Sequence, residues 1–178
     1  MPTDNLWIRN TKTTVLIVGE GATDKAFLRH LKNIYVFRED DIVVKVEKGS
    51  GGSPACVIKK TIDLSNNKAY DRRLVIVDGD LKLILDSDLR RRIRENPQIK
   101  IIQIYPCIEG LFLEILEHPN FSRHRVLSSF CKSEFEKYIP ADKQTEELAY
   151  SSLFPKEKLE FRRKRIKELD IILRTMQI

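Results

Sequence analysis

Glu20, Asp78 and Asp80 each follow closely on a short apolar run. Thr14-Val15-Leu16-Ile17-Val18-Gly19 precedes the glutamate, and Arg73-Leu74-Val75-Ile76-Val77 precedes Asp78-Gly79-Asp80. Asp78 and Asp80 are two residues apart, so in extended backbone they point to the same side. Gly79 between them permits a tight turn and close backbone approach. Carboxylates gathered at one edge repel one another unless positive charge lies between them. A hard divalent cation meets that need, and Mg²⁺ (or Mn²⁺) is typically held by one or two carboxylates plus water and substrate phosphate. A metal held by such a set suits chemistry on phosphodiesters. The plainer alternative is that Glu20 and Asp78 only cap helices, where acids suit the helix dipole, with Asp80 in solvent.

Other motifs are weaker. Gly19-Glu20-Gly21-Ala22-Thr23-Asp24 matches the dinucleotide pattern G-x-G-x-x-G except at its last position, where Asp24 replaces the small residue that close helix–strand packing requires. No G-x-x-x-x-G-K-[ST] occurs, so a P-loop is absent. The three cysteines (Cys56, Cys107, Cys131) and three histidines (His30, His118, His124) contain no pair at zinc-ligand spacing and read as structural. Gly49-Ser50-Gly51-Gly52-Ser53 precedes Pro54 at a natural first helical position. Its backbone N–H groups suit a substrate phosphate, or it is simply a flexible turn. Lys48, Lys59, Lys60 and Lys82 are further candidates for phosphate contacts. Arg90 to Arg94 and Arg162 to Lys167 are candidate nucleic-acid patches or, as basic runs on amphipathic helices usually are, solvated faces.

The elements that must position these groups alternate. Strands are expected at Thr14–Val18, Ile42–Val46, Arg73–Val77 and Ile99–Ile104, with helices between them: one from Thr23 to Asn33, one after Pro54, and one in which Leu81, Leu85, Leu89 and Ile93 recur every four residues. The βαβαβαβ order predicts an α/β fold, Rossmann-like, with a mostly parallel four-stranded sheet flanked by helices. In such a sheet ligands gather outside the carboxyl ends of the strands, which is where all three acids fall. Beyond Ile108 the pattern becomes helical: one helix stopped by Pro119, another over Ser122–Tyr138, a polar connection from Pro140 to Pro155, and a last basic helix striped by Leu159, Ile166, Leu169 and Leu173. The expected division is an α/β domain over 13–118 and a helical extension over 119–178 packed on it.

Composition bounds the partners. A net charge of +6 over 178 residues, with +4 of it in Lys156–Ile178, favours polyanions. The N-terminal stretch is polar apart from Leu6, Trp7 and Ile8, and no apolar run approaches the roughly 20 residues of a membrane span. A cytoplasmic protein without membrane contact is expected.

Strand, Val18-Gly19-Glu20-Gly21, helix, and later strand with Asp78-Gly79-Asp80, together resemble the Toprim domain shared by topoisomerases, bacterial primases and OLD-type nucleases. The resemblance covers about Thr13 to Leu116. It implies that Glu20 and the Asp78–Asp80 pair jointly hold Mg²⁺. A narrower likeness is to the small RloB-like Toprim proteins, which pair a Gly-Glu-Gly-x-[Thr/Ser]-[Glu/Asp] start with a Pro-Cys-x-Glu-like segment, matched here by Pro106-Cys107-Ile108-Glu109. It implies Glu109 as a fourth acid. Four acids suit two metals about 4 Å apart; otherwise Glu109 is a helix-end acid favoured by the dipole. Among Toprim chemistries, strand passage needs a tyrosine nucleophile, and none of the five tyrosines has a context that marks it. Priming needs additional regions for template and nucleotide. Metal-dependent cleavage of DNA or RNA is the expected activity, in a phage-defence setting. The alternatives are a binding or regulatory subunit acting with a partner ATPase, and a receiver-like module. Against the latter, no lysine follows Tyr105-Pro106 until Lys132.

Overall fold

β1 (Thr13–Gly19) and β3 (Arg72–Asp78) are apolar along their length because both faces of each strand are covered. Val15, Ile17, Leu74 and Ile76 enter one core, and Leu16, Val18, Val75 and Val77 the other. β2 (Ile42–Lys48) instead alternates: Ile42, Val44 and Val46 are buried, while Val43 and Lys45 face outward, as befits an edge strand covered on one face. β4 (Ile99–Ile104) forms the other edge. The computed structural model describes residues 12–66, 68–123 and 125–177. The Leu6-Trp7-Ile8 cluster and His124 lie outside the described residues.

The sheet order is β2-β1-β3-β4, with every pairing parallel. α1 (Ala22–Tyr35) returns the chain from β1 to β2, α2 (Pro54–Asn66) from β2 to β3, and α3 (Ser87–Arg94) from β3 to β4. The chain therefore leaves the neighbouring strands β1 and β3 in opposite directions. A crevice opens between their carboxyl ends, the place where open α/β sheets bind ligands. The helical layers fit this winding: α2 and α3 cover one face of the sheet, α1 and the C-terminal helices the other.

After β4 come α4 (Ile108–Ile115), α5 (Ser128–Phe135), two 3₁₀ turns (Ala141–Lys143 and Glu147–Tyr150), α6 (Lys156–Arg163) and α7 (Lys167–Thr175). Their apolar side chains share one continuous core with α1 and the sheet. At its centre Phe27 of α1 meets Phe112 of α4 edge-on with ring centroids 4.7 Å apart; Phe135, Tyr150 and Phe154 close around that pair. Such aromatic pairs contribute about 0.5–1.5 kcal/mol each beyond area burial. The Tyr150 hydroxyl donates to the Gln144 carbonyl at 2.7 Å, so its burial leaves no orphaned polar group.

Several expected boundaries change. The helix expected from Leu81 begins only at Ser87, because the Asp86 side chain accepts the Leu89 N–H at 2.7 Å and caps it there. Leu81 to Asp86 is loop, with Leu81 and Ile84 exposed. The helix expected over Ser122–Tyr138 is confined to α5. The connection from Pro140 to Pro155 contains the fully buried Tyr150 and Phe154, so it is core structure rather than a polar linker. The terminal stripe is divided between α6 and α7, with Ile166 at the cap of α7. No described helix is long and apolar enough to cross a membrane.

Candidate metal centre

The first acids are assembled by the turn out of β1. Gly19 lies so close to Asp24 that an added Cβ there would collide with the Asp24 Cβ. The Asp24 carboxylate folds back to accept the Gly21 N–H at 3.0 Å and the Glu20 N–H at 3.3 Å, stabilising the first turn of α1. This turn aims Glu20 across to β3, where Glu20 Oε2 accepts the backbone N–H of Asp78 at 3.0 Å. Asp78 Oδ1 in turn accepts the N–H of Ile108, the first residue of α4, at 3.1 Å.

The turn after β3 is pinned to the end of β4. Gly79 N–H donates to the Ile104 and Pro106 carbonyls, and Asp80 N–H to Pro106. The Tyr105 ring lies over Gly79 so closely that a Cβ would sit 2.5 Å from Cδ1, which is why glycine separates the two aspartates. Asp80 is exposed, and its Oδ2 accepts the Ser128 hydroxyl at 2.6 Å. Glu109, in the first turn of α4, is only 6% exposed, and its Oε2 is buried without a hydrogen-bond partner.

These groups act on one another's charge. Burial, then the charges of Asp24, Glu20, Glu109 and Asp80, push the Asp78 carboxyl up to about 8. Burial, reinforced by Glu109 and opposed by the Gly21 and Glu20 N–H groups, takes Asp24 to about 7. The buried Cys107 thiol is raised by burial and by Glu109 beside it. Lys132, on α5, is the countercharge: partial burial pulls its ammonium down, but Glu109, Cys107, Asp78 and Asp80 outweigh this and hold it above the ordinary lysine range.

All four expected acids thus lie at the carboxyl edge, with Glu20 and Asp78 in direct contact and Glu109 and Asp80 in their field. Two members escaped the sequence reading. Asp24 stood out there as the residue that spoils a dinucleotide motif and as the last position of the RloB-like start, with no role at the acids, although its spacing, four after Glu20 on a helix start, already placed it near the glutamate. Lys132 lies 52 positions beyond Asp80. Only the return of α5 over α4 brings it to the acids, and no local pattern signals that.

The phosphate candidates divide. Gly49 joins the site's border: its N–H donates to the Gly19 carbonyl at 2.7 Å, and the Glu20 carbonyl lies 3.0 Å from where its Cβ would be. Gly51 and Gly52 have φ of +79° and +94°, a conformation that favours glycine. The N–H groups of Ser50, Gly51, Gly52 and Ser53 meet no protein acceptor among the described residues. Lys82 is exposed in the loop after Asp80. The expected arginine patches are largely engaged internally. Arg91 pairs with Asp88 and Glu95, Arg92 with Asp63, Arg162 with Glu117, and Arg163 with Asp170 and Glu160.

The donor set suits a hard cation: every candidate ligand is a carboxylate oxygen, and the orphaned Glu109 Oε2 lacks the partner a buried acceptor requires. Among the described residues, no three Asp, Glu, His or Cys side chains are already gathered tightly enough to hold an ion. Holding an ion there would require side-chain rotation; Asp80 is exposed, and the bond to its carboxylate is the one from the Ser128 hydroxyl. Compared with known proteins, the chain matches no family model, no curated protein and no solved structure.

Proposed function

We propose that this chain is a metal-dependent nuclease of Toprim type, hydrolysing phosphodiester bonds in DNA or RNA with Mg²⁺ or Mn²⁺ held by Glu20, Asp78, Asp80 and Glu109. The observation that carries the reading is the convergence at the β1–β3 crevice. Glu20 is bonded to the Asp78 backbone, and Asp78 is held so far from its ordinary ionisation that added positive charge is what the cluster lacks. A divalent ion bound there supplies Lewis acidity and lowers the pKa of coordinated water.

The chain's own groups have distinct tasks. Asp78, fixed by Ile108 N–H on one oxygen, presents the other to the ligand. Glu20, anchored through one oxygen to β3, keeps the second for sharing the ion or for accepting the proton of the attacking water. Asp24 stays beneath, holding the Glu20–Gly21 turn in place. Lys132 brings positive charge to the same site, where it offsets the acids and suits a substrate phosphate. The turn at Gly49–Ser53, with Lys82 on the opposite flank, is placed to receive neighbouring phosphates.

One other reading has an observation in its favour. The placement of Lys132 removes the objection drawn from sequence against a receiver-like module, although here the lysine comes from a helix rather than a fifth strand.

The test is cleavage of labelled DNA and RNA in Mg²⁺ or Mn²⁺. Asp78→Ala and Glu20→Ala should each lower the rate by about 10²-fold or more while circular dichroism stays native. Undiminished cleavage in both variants, or cleavage indifferent to chelator, would overturn the mechanism. Activity that appears only on adding an ATPase partner would favour the subunit reading.

A further inference from the structure

A groove of about 360 Å³ lies between α1, the carboxyl end of β2 and the segment entering the second 3₁₀ turn. Lys25 and Arg29 project into it from one face of α1, four residues apart, with the small Ala26 between them leaving room. Lys48, the last residue of β2, forms the near wall, and Thr145 and Glu147 the far one.

Three observations give this groove a direction. Lys48 is in register with Gly19, and Gly49 N–H bonds to the Gly19 carbonyl at 2.7 Å, so the groove begins one residue from Glu20. It does so on the β2 flank of the cluster, whereas Asp80 and Ser128 occupy the β3 flank. The cations in it also differ in their freedom. Lys25 is tethered to Glu47 at 2.9 Å, while Arg29 and Lys48 are exposed and form no ion pair among the described residues. That sets them apart from the paired arginines of α3 and α6.

We infer that this groove seats the sugar–phosphate backbone of a nucleic-acid strand as it leaves the acid cluster, with Arg29 and Lys48 each neutralising one phosphate; the inference rests on the nuclease reading above. Lys25, restrained by Glu47, shapes the wall. Glu147 opposes the cations and keeps the anionic strand on the α1–β2 side. Neutralising backbone phosphates adds affinity without sequence preference, and each contact releases counterions.

The experiment uses the full chain and two readouts. Binding of a fluorescent single-stranded oligonucleotide is followed by anisotropy in Ca²⁺ across a range of NaCl. Hydrolysis of bis(4-nitrophenyl) phosphate in Mn²⁺, a substrate too small to reach the groove, reports the acid cluster alone. The Arg29→Ala/Lys48→Ala double variant should weaken oligonucleotide binding by about tenfold and reduce the slope of log K against log[NaCl] by about 1.4, two phosphates' worth on a single strand. Its hydrolysis of the small substrate should be unchanged. Glu147→Gln, which removes the opposing charge, should tighten binding. Wild-type affinity and slope in the double variant would overturn the inference while leaving the nuclease reading intact. Failure of the wild-type protein to bind the oligonucleotide would overturn it too, and small-substrate hydrolysis then decides the nuclease reading separately.

Discussion

Asp78 is the residue on which the energetics of the site turn. Its carboxyl titrates near 8 in the folded chain against about 3.8 when unperturbed, because burial and four neighbouring acids oppose its charge. An acid whose native pKa lies above its unfolded value stabilises the fold fully below the unfolded pKa, and that stability is lost progressively as pH rises to the native pKa. In chelator, the melting temperature contributed by this group should therefore fall between about pH 4 and pH 8. Asp78→Asn keeps an oxygen for the Ile108 N–H and removes the charge. It should raise the metal-free melting temperature at pH 8 by several degrees, at ~2–4 °C per kcal/mol for a chain of this size, and by much less at pH 4.5. Equal effects at both pH values would show that Asp78 is not ionising in that range. Mg²⁺ should stabilise the wild type more at pH 8 than at pH 6, since protonation competes with ligation. Lys132→Gln removes the countercharge, so the acidic limb of the pH–rate profile should move to higher pH; an unmoved limb would place the lysine outside the field. The acids themselves were legible in sequence because each lies within two residues of a strand's end or a helix's start. Asp24 was visible as a motif position but without a structural role, and Lys132 was hidden by its separation.

At the level of elements, the two glycines that border the acids are packing requirements rather than hinges. Gly79→Ala would drive a Cβ into the Tyr105 ring. The expected cost is about 1–3 kcal/mol, read by denaturant titration. Tyr105→Ala should recover much of it in the double variant, because residues in contact are coupled. Additive losses would mean the strain lies elsewhere. The strands and the first two helices were readable because hydrophobic period and turn chemistry agreed there. The third helix was not: Leu81, Leu85, Leu89 and Ile93 keep a helical period through a stretch whose first half is loop. The local bond from Leu89 N–H to Asp86 decides the helix start more strongly than periodicity does. Similarly, two buried aromatics within a polar stretch, Tyr150 and Phe154, were too sparse to announce a core segment.

For the whole molecule, the C-terminal third is integral to the sheet's cover. Phe135, Tyr150, Phe154, Leu159, Leu169 and Leu173 are all fully buried in the core that also holds α1 and α4. Ending the chain at His118 would expose the α1–α4 face, and a 1–118 fragment should lack the cooperative thermal transition of the full protein by circular dichroism. A cooperative, native-like fragment would show that residues 119–178 are dispensable. That same core has a mechanical side. Phe27 lies three residues after Asp24, and Phe112 three after Glu109, so the touching rings stand one helical turn beneath two of the clustered acids. The spacing of the charges above is thereby geared to the seating of the rings below. A cation that draws Glu109 toward Glu20 and Asp78 would pull on the first turn of α4, and so on the seating of Phe112 against Phe27, Phe135, Tyr150 and Phe154. Occupancy at the sheet edge should then register as slowed amide hydrogen exchange in α5 and the second 3₁₀ turn. Conservative core changes such as Phe112→Leu should loosen ligand affinity before they unfold the chain.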